Sequence, residues 1–344
     1  MTAVTRHNTR SFISGCEAYA LTSSERKFFQ EMQPWGLILF ARNCQSPTQL
    51  KDLTTEFRSI VGRKDAPVFI DQEGGRVQRM SPKTGAWRSY PAPALLGRLH
   101  EQSPLLALRA ARNIGRLMAN DLHEAGINVN CVPVLDMPQP DSHAIISDRA
   151  YSPKPDTALA LARAHVAGFA AGGVLPVVKH IPGHGRAKVD SHHELPRVIA
   201  SRQELEATDF VPFAAYADAP MAMTCHIVFE AIDKDNPATH SRTIIRNLLR
   251  KQIGFEGLIT DDLSMKALGG TYAEKASRAF EAGCDVILHC NGHMDEMQEV
   301  AEASPALAGK PLRRAKAALR QLRRPVPFDE KAALKDLEAV MAVA

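Results

Sequence analysis

Short apolar runs recur along the chain, and each is followed by polar or turn residues and then by a longer segment. Eight such runs lie at 12–15, 36–40, 67–71, 128–136, 175–180, 220–226, 257–262 and 285–290. Their apolar residues are nearly continuous rather than alternating, which is typical of parallel strands buried on both faces. Two of the intervening segments, 106–125 and 156–171, have helical spacing. This order predicts a (β/α)₈ TIM-type barrel.

An open, doubly wound sheet is the alternative arrangement of alternating strands and helices. It is the weaker prediction, because eight strands suit closure and no G-x-G-x-x-G follows the first run. We find no linker, low-complexity segment or repeat that divides the chain. The interpretation is therefore an α/β protein with a single domain and a helical extension from about residue 303.

Length, composition and charge fit an ordinary soluble protein. The chain has 344 residues, of which 45% are hydrophobic and 23% charged, and its net charge is +4. Nucleic-acid binding would need a concentrated basic stripe, so we expect no nucleic-acid partner. The basic run 312–325 has the Leu and Ala spacing of a helix with a charged, solvated outer face.

The six cysteines indicate a reducing compartment. None forms a CxxC pair and most lie in apolar contexts, so we expect buried free thiols. No apolar run reaches the roughly 18–20 residues that span a bilayer. Before its first small residues the N-terminus offers only Phe12 and Ile13 as an apolar core, which is too short for a secretory signal. We therefore expect a cytoplasmic protein without a membrane partner.

Ionisable residues cluster where the predicted strands end. In a barrel, the carboxyl ends of the strands surround the active site, so we expect these side chains to lie together. The residues at these ends are Asp71, Asp136, Lys179, His180, His226, Asp261, Asp262 and His289. Asp261 is the first residue out of its strand and is favoured for a chemical role. Asp262 is interpreted as the cap of the following helix.

The stretch "KHIPGHGRAKVDSHHELP", residues 179–196, allows three interpretations: a metal site, a phosphate cradle or a mobile acid/base loop. HxxxH spacing chelates one ion only on a helix, which the prolines and glycines at 182–185 prevent. No helix start follows at once to cradle phosphate. In the third interpretation, Asp190 hydrogen-bonds His192, raises its pKa and makes it a general acid/base. Pro182, Gly183 and Gly185 then supply turns, and His193 is a solvated neighbour.

Several motifs together resemble glycoside hydrolase family 3, and specifically its single-domain bacterial β-N-acetylhexosaminidases. Beside the stretch at 179–196, the matching blocks are "GLILFARN" (36–43), "FIDQEGGRVQRM" (69–80), "VPVLDM" (132–137), "SDRAYS" (147–152), "MTCHIVF" (223–229) and "TDDLSMKAL" (260–268). The resemblance covers most of the chain and implies one barrel domain over 1–344. Ile181, Cys131 and Cys225 depart from the family's commoner residues.

The resemblance also implies roles for single residues. Asp261 resembles the nucleophile that forms a glycosyl-enzyme, and His192, paired with Asp190, resembles the acid/base that replaces a second carboxylate. His226 and Met265 are possible support for the site. Five residues match those that hold the hydroxyl and acetamido groups of N-acetylglucosamine: Asp71, Arg79, Arg149, Lys179 and His180.

The function implied by the resemblance is retaining exo-hydrolysis of terminal β-linked N-acetylglucosamine. The implied substrates are GlcNAc-anhydroMurNAc peptides in peptidoglycan recycling. We expect no cofactor, no metal and a monomer. Three alternatives stay open: attack by the substrate's own acetamido group, transfer to phosphate by a phosphorylase, and a metal-dependent or non-enzymatic barrel.

Overall fold

Eight parallel strands form a closed barrel in the computed structural model, which describes residues 9–140 and 143–343. The strands are β1 (Arg10–Ser14), β2 (Pro34–Leu39), β3 (Val68–Ile70), β4 (Val129–Asn130), β5 (Leu175–Pro176 and Val178–Ile181), β6 (Ala222–Thr224), β7 (Leu258–Asp262) and β8 (Val286–His289). The first part of β5 pairs with β4 and the second with β6, so the sheet has no free edge. Neighbouring strands run in the order β5-β4-β3-β2-β1-β8-β7-β6. The barrel prediction is confirmed, and the open-sheet alternative is wrong.

Helices follow the strands along the chain. They are α1 (Ser23–Met32), α2 (Pro47–Ile60), α3 (Pro93–Gln102), α4 (Pro104–Glu124), α5 (Pro155–Ala171), α6 (Arg202–Ala207), α7 (Phe210–Ala215), a π-helix (Ile244–Ile253), α8 (Tyr272–Ala282), α9 (Met294–Ala303), α10 (Gly309–Leu319) and α11 (Glu330–Met341). The helical segments predicted at 106–125 and 156–171 are confirmed as α4 and α5. Their proline starts suit the first helical turn, where a backbone N–H is not needed.

Apolar side chains fill the barrel, and a second core lies between the strands and the helices. The inner cluster takes at least one buried residue from every strand, namely Ile13, Ile38, Phe69, Val129, Leu175, Met223, Ile259 and Leu288. Layers of this kind make a barrel a packed core and not a pore.

The prediction that the basic run 312–325 forms a solvated helix is only partly correct. Its helix, α10, ends at Leu319, and Ala315 and Ala318 on its inner face join the cluster inside the barrel. Arg314 is not a free surface charge, because it pairs with Asp285 at 3.0 Å and Glu256 at 2.6 Å. The short alanine side chains let the helix pack closely against the barrel, while the long side chain of Arg314 extends past them to its ion-pair partners.

The helical extension ends with α11, which packs on α4. The carboxylate of Asp336 accepts hydrogen bonds from Arg109 and Asn113, and Val340 is buried beneath it. All six cysteines are buried free thiols, as predicted. None of the helices within residues 9–140 and 143–343 combines the length and the apolar character needed to cross a bilayer. Residues 1–8, part of the segment judged too short for a signal, lie outside the described residues.

Candidate active site

A cavity of about 210 Å³ opens at the carboxyl ends of the barrel strands. Eight of the ten site residues predicted from the sequence line it: Asp71, Arg79, Arg149, Lys179, His180, His192, Asp261 and Met265. The other two, Asp190 and His226, contact lining residues from behind. The volume is small for a ligand pocket, so it suits a small ligand such as one sugar ring better than a chain.

Asp261 lies at the end of β7, within the cavity wall. Its Oδ1 accepts a hydrogen bond from the backbone N–H of Asp262 at 2.8 Å. Burial alone would raise the pKa of Asp261, but the imidazole of His180, the backbone N–H of Asp262 and the charge of Lys179 together lower it below the ordinary value. The carboxylate is therefore ionised at neutral pH, the form that a nucleophile needs.

Asp190 and His192 form a local pair on the loop after β5. One oxygen of Asp190 accepts two hydrogen bonds from His192, from its backbone N–H at 2.9 Å and from Nδ1 at 2.7 Å. The bond to Nδ1 orients the ring and leaves Nε2 as the nitrogen that meets a ligand. His192 is 57% exposed and lines the same cavity as Asp261. Burial opposes the ionisation of Asp190, but the hydrogen bonds from His192 lower its pKa.

Asp71 directly follows β3, and its carboxylate forms ion pairs with two positively charged side chains. Nη2 of Arg79 lies 3.0 Å from one carboxylate oxygen, and Nζ of Lys179 lies 2.7 Å from the other. Burial alone would raise the pKa of Asp71, but the charges of Lys179 and Arg79 outweigh this effect and lower it. The ring of Phe40 lies beneath the guanidinium of Arg79, at 4.8 Å from its centroid. The three polar groups are thus fixed before a ligand arrives.

Glu73 was not among the predicted site residues, yet it connects two of them. It holds Arg149 through two hydrogen bonds of 2.8 and 2.9 Å and lies 2.6 Å from Nζ of Lys179. Burial alone would raise the pKa of Glu73, but the charges of Arg149 and Lys179 lower it to about 2. A signal existed in the sequence, because residues two apart in an extended segment point to the same face, and Glu73 follows Asp71 at that interval.

Asp136, which the sequence placed among the ionisable residues at strand ends, received no role there and is a second connecting residue. It is fully buried at the end of the segment after β4, and it accepts a hydrogen bond from Nδ1 of His180 at 2.7 Å. Its other oxygen accepts from the backbone N–H groups of His180 at 3.2 Å and His184 at 2.6 Å. One carboxylate therefore orients the His180 ring and fixes the start of the loop that carries Asp190 and His192.

The two residues predicted to support the site, His226 and Met265, differ in their position relative to the cavity. His226 is fully buried, bonds Oγ1 of Thr239 at 2.8 Å and lies 3.0 Å from the backbone oxygen of Asp262. It therefore braces the segment next to Asp261 and does not line the cavity. Met265 contributes an apolar part of the wall.

The prediction that Asp262 caps the next helix is wrong. Its carboxylate accepts from the backbone N–H of Ser264 at 3.0 Å, from the Ser264 hydroxyl, and from the backbone N–H of Cys290 at 3.1 Å. The chain turns after β7, and the next helix begins only at Tyr272, capped by Thr271. Asp262 therefore closes a turn and ties β7 to the end of β8.

Two histidines of the stretch 179–196 already use a ring nitrogen in a hydrogen bond within the protein, and a metal ion would need such a nitrogen as a ligand. His180 gives Nδ1 to Asp136, and Nε2 of His184 bonds Oγ of Ser191 at 3.0 Å. Over residues 9–140 and 143–343, no group of three or more His, Cys, Asp or Glu side chains has the arrangement of a metal site.

Comparisons with known proteins show what this chain is similar to in sequence and in fold. The profile described as "Glycosyl hydrolase family 3 N terminal domain" matches residues 13–322. A curated β-hexosaminidase of Alkalilimnicola ehrlichii is 41% identical over 282 residues, which are 80% of this chain and 79% of the relative. The crystal structure of native NagZ from Neisseria gonorrhoeae superposes with a TM-score of 0.83 at 32% identity, covering 98% of this chain and 97% of the other. The structure of the same enzyme in complex with N-trifluoroacetyl-D-glucosamine gives 0.84 at 32% identity, with the same coverage.

Proposed function

We propose that this chain, which belongs to glycosyl hydrolase family 3 and is thus a glycoside hydrolase, releases terminal β-linked N-acetylglucosamine with retention of the anomeric configuration. Two features of the relatives support this substrate: the similar curated protein is a β-hexosaminidase, and the similar solved enzyme was captured with an N-acylated glucosamine. The observation that carries the proposal is that an ionised Asp261 and the Asp190-bound His192 share one small cavity. A retaining glycosidase needs these two groups, a nucleophile and an acid/base.

In the first step, a carboxylate oxygen of Asp261 attacks the anomeric carbon and the bond to the leaving oxygen breaks. Protonated His192 gives its Nε2 proton to that oxygen. In the second step, water attacks the anomeric carbon, neutral His192 takes the proton of the water, and Asp261 leaves as a carboxylate. His192 becomes neutral on donating its proton, so it adds no second anion beside a substrate that carries carboxylates.

The sugar itself is held by groups that already lie in fixed positions. The carboxylate of Asp71 accepts from sugar hydroxyls, while Arg79, Lys179 and His180 offer donors that their ion pairs hold in place. Arg149, aligned by Glu73, supplies a further donor. Their preorganisation lowers the cost of binding a small polar ligand.

The natural substrates in this proposal are GlcNAc-anhydroMurNAc peptides, and the setting is peptidoglycan recycling in the cytoplasm. The protein acts as a monomer, without a cofactor. One barrel domain over 1–344 carries the whole activity. The basic residues at the rim of the site, including Arg76 and Lys266, tolerate the carboxylates of such substrates.

The test is the activity of the wild type and of Asp261→Asn on chromogenic β-GlcNAc and β-glucose substrates. We expect the wild type to prefer β-GlcNAc, and we expect the substitution to lower kcat by a factor of about 10³ or more, because an amide is not a nucleophile. The exposed Asp235→Asn is the matched control and should keep full activity. Equal rates for Asp261→Asn and the wild type would exclude Asp261 as the nucleophile.

A 2-fluoro sugar distinguishes the proposed mechanism from its alternatives. A covalent adduct on Asp261 supports the glycosyl-enzyme, whereas its absence together with tight thiazoline-type inhibition would indicate attack by the acetamido group. Formation of sugar 1-phosphate in phosphate buffer would indicate a phosphorylase. Loss of activity in EDTA would indicate a metal-dependent reaction.

A further inference from the structure

The loop after β5 carries Asp190 and His192. Its first half, which includes residues 184–186, is held against the barrel by hydrogen bonds and close packing. The backbone N–H of His184 donates to Asp136 at 2.6 Å, and Arg186 bonds Asp209 at 2.7 Å. Gly185 packs so closely that a Cβ atom there would lie 2.0 Å from the backbone oxygen of Met137. This half therefore has a fixed position relative to β4 and β5.

The second half contains one buried residue between two functional ones. Ser191 is 2% exposed and lines the cavity beside its neighbour His192. Oγ of Ser191 lies 3.0 Å from Nε2 of His184, so this hydrogen bond joins the first half of the loop to the half with the acid/base pair. The carbonyl of Ser191 also accepts from the backbone N–H of Ala267 at 3.2 Å, beyond β7.

We propose that His184 and Ser191 form a latch that holds Asp190 and His192 over the cavity in the reactive position. The inference rests on the proposed function, because it concerns the transfer of the proton by His192. Although both side chains line the cavity, both are positioning residues in this proposal: they act on the leaving oxygen through the placement of His192. Small displacements of an acid/base group lower the rate, since proton transfer needs hydrogen-bond distance to the leaving oxygen.

The protonation of His184 suits a permanent latch. Burial, and next the neighbouring His180, lower the pKa of His184 to about 4, so the ring stays neutral at physiological pH. Its Nδ1 is buried and makes no hydrogen bond among the described residues. A proton there would be a stranded donor, which proteins avoid. Nε2 therefore carries the proton and donates to Ser191.

This assignment selects the variants. Ser191→Ala removes the acceptor, and His184→Leu removes the donor. His184→Gln restores an N–H at the place of Nε2, because its amide nitrogen is the same number of bonds from Cβ. Ser59→Ala, on the exposed face of α2, is the matched control.

The readout is the dependence of kcat/KM on the leaving group, measured with phenyl and 2,4-dinitrophenyl β-N-acetylglucosaminides. Phenoxide leaves poorly and needs protonation, whereas dinitrophenoxide leaves without it. We expect Ser191→Ala and His184→Leu to lower the value for the phenyl substrate about tenfold, a fraction of the usual contribution of an acid. The value for the dinitrophenyl substrate should stay within about twofold of the wild type, and His184→Gln should restore the phenyl substrate.

Equal losses on the two substrates, or no loss on either, would overturn the latch. If Ser191→Ala fails to fold, the comparison of His184→Leu with His184→Gln decides the question. Hydrogen exchange of residues 187–195 provides a test that does not need activity: we expect faster exchange in Ser191→Ala, and unchanged exchange would also overturn the latch. A wild type that cleaves neither glycoside would instead refute the proposed function, leaving the exchange experiment to judge the latch.

Discussion

The carboxylate of Glu73 lies 2.6 Å from Nζ of Lys179, and the two side chains are almost completely buried. The same carboxylate holds Arg149 through two hydrogen bonds, and Lys179 also reaches Asp71. Glu73 therefore connects two buried cations that line the cavity. Without it, Arg149 would lose the carboxylate that binds it, and Lys179 would keep only its ion pair with Asp71.

Replacement of Glu73 should therefore destabilise the fold. Breaking a buried ion pair by removing one partner leaves an uncompensated charge, so Glu73→Gln should lower the free energy of unfolding by about 3 kcal/mol. Glu56→Gln is the matched control, because Glu56 pairs with Arg26 at the surface, and its cost should stay within about 1 kcal/mol. Urea unfolding measures both variants. A similar loss in the two would show that burial of the Glu73 pair has no special weight.

The adjacent histidines His192 and His193 allow a second test with its own control. His192 bonds Asp190 through its ring and lines the cavity, whereas His193 contributes only its backbone N–H to Asp190 and is exposed. His192→Ala should lower kcat/KM on phenyl β-N-acetylglucosaminide, whose leaving group needs protonation, by a factor of about 10² to 10⁴. His193→Ala should stay within a factor of about two. Full activity of His192→Ala would refute the acid/base assignment.

The barrel and the hydrogen bond between Asp190 and His192 were predictable because both depend on short stretches of sequence. Each strand was visible as a continuous apolar run, and eight runs in alternation with helices favour closure. Asp190 and His192 are two residues apart, so their hydrogen bond needs no knowledge of the rest of the fold. The same holds for the position of Asp261, which lies at the end of the apolar run that forms β7.

Contacts between distant segments were not predictable in the same way. Glu73 meets Arg149 across 76 residues, and Asp136 meets His180 across 44. Both acids were visible near strand ends, but their roles depend on which strands are neighbours and how far each loop returns. The error about Asp262 has a related cause: the turn after β7 and its tie to Cys290 delay the next helix until Tyr272.

Three buried histidines predict that the protein loses stability below neutral pH. Burial is the main cause that lowers the pKa to about 3 in His165, about 4 in His184 and about 3 in His240. In the unfolded chain the pKa of histidine is about 6.5, so only the unfolded state takes up these protons between pH 6.5 and 4. The free energy of unfolding should therefore fall as the pH decreases through this window.

His240→Gln tests this linkage, because the amide can still donate to the backbone oxygen of Lys275, which lies 3.1 Å from Nε2. Each proton changes the slope by about 1.4 kcal/mol per pH unit. The variant should therefore show a shallower loss of stability between pH 6 and 5, measured by urea unfolding. An unchanged slope would mean that His240 is protonated equally in the two states.

Gly185 provides a test of how the loop position depends on backbone packing. A Cβ atom there would lie 2.0 Å from the backbone oxygen of Met137, and main-chain atoms cannot move aside as a side chain can. Gly185→Ala should therefore push the loop away from the segment that carries Asp136 and displace His192. We expect kcat on aryl β-GlcNAc to fall about tenfold or more, because the acid no longer reaches the leaving oxygen.

The matched control is Gly269→Ala, beyond β7, where an added Cβ would meet no atom within 4 Å. It should keep wild-type activity and stability. Because Gly185 has no positive φ angle, its substitution acts through the clash and not through backbone strain, so Gly185→Ser should be at least as harmful as Gly185→Ala. Wild-type kcat in both Gly185 variants would show that the loop adapts, and that its contact with Met137 does not determine the place of His192.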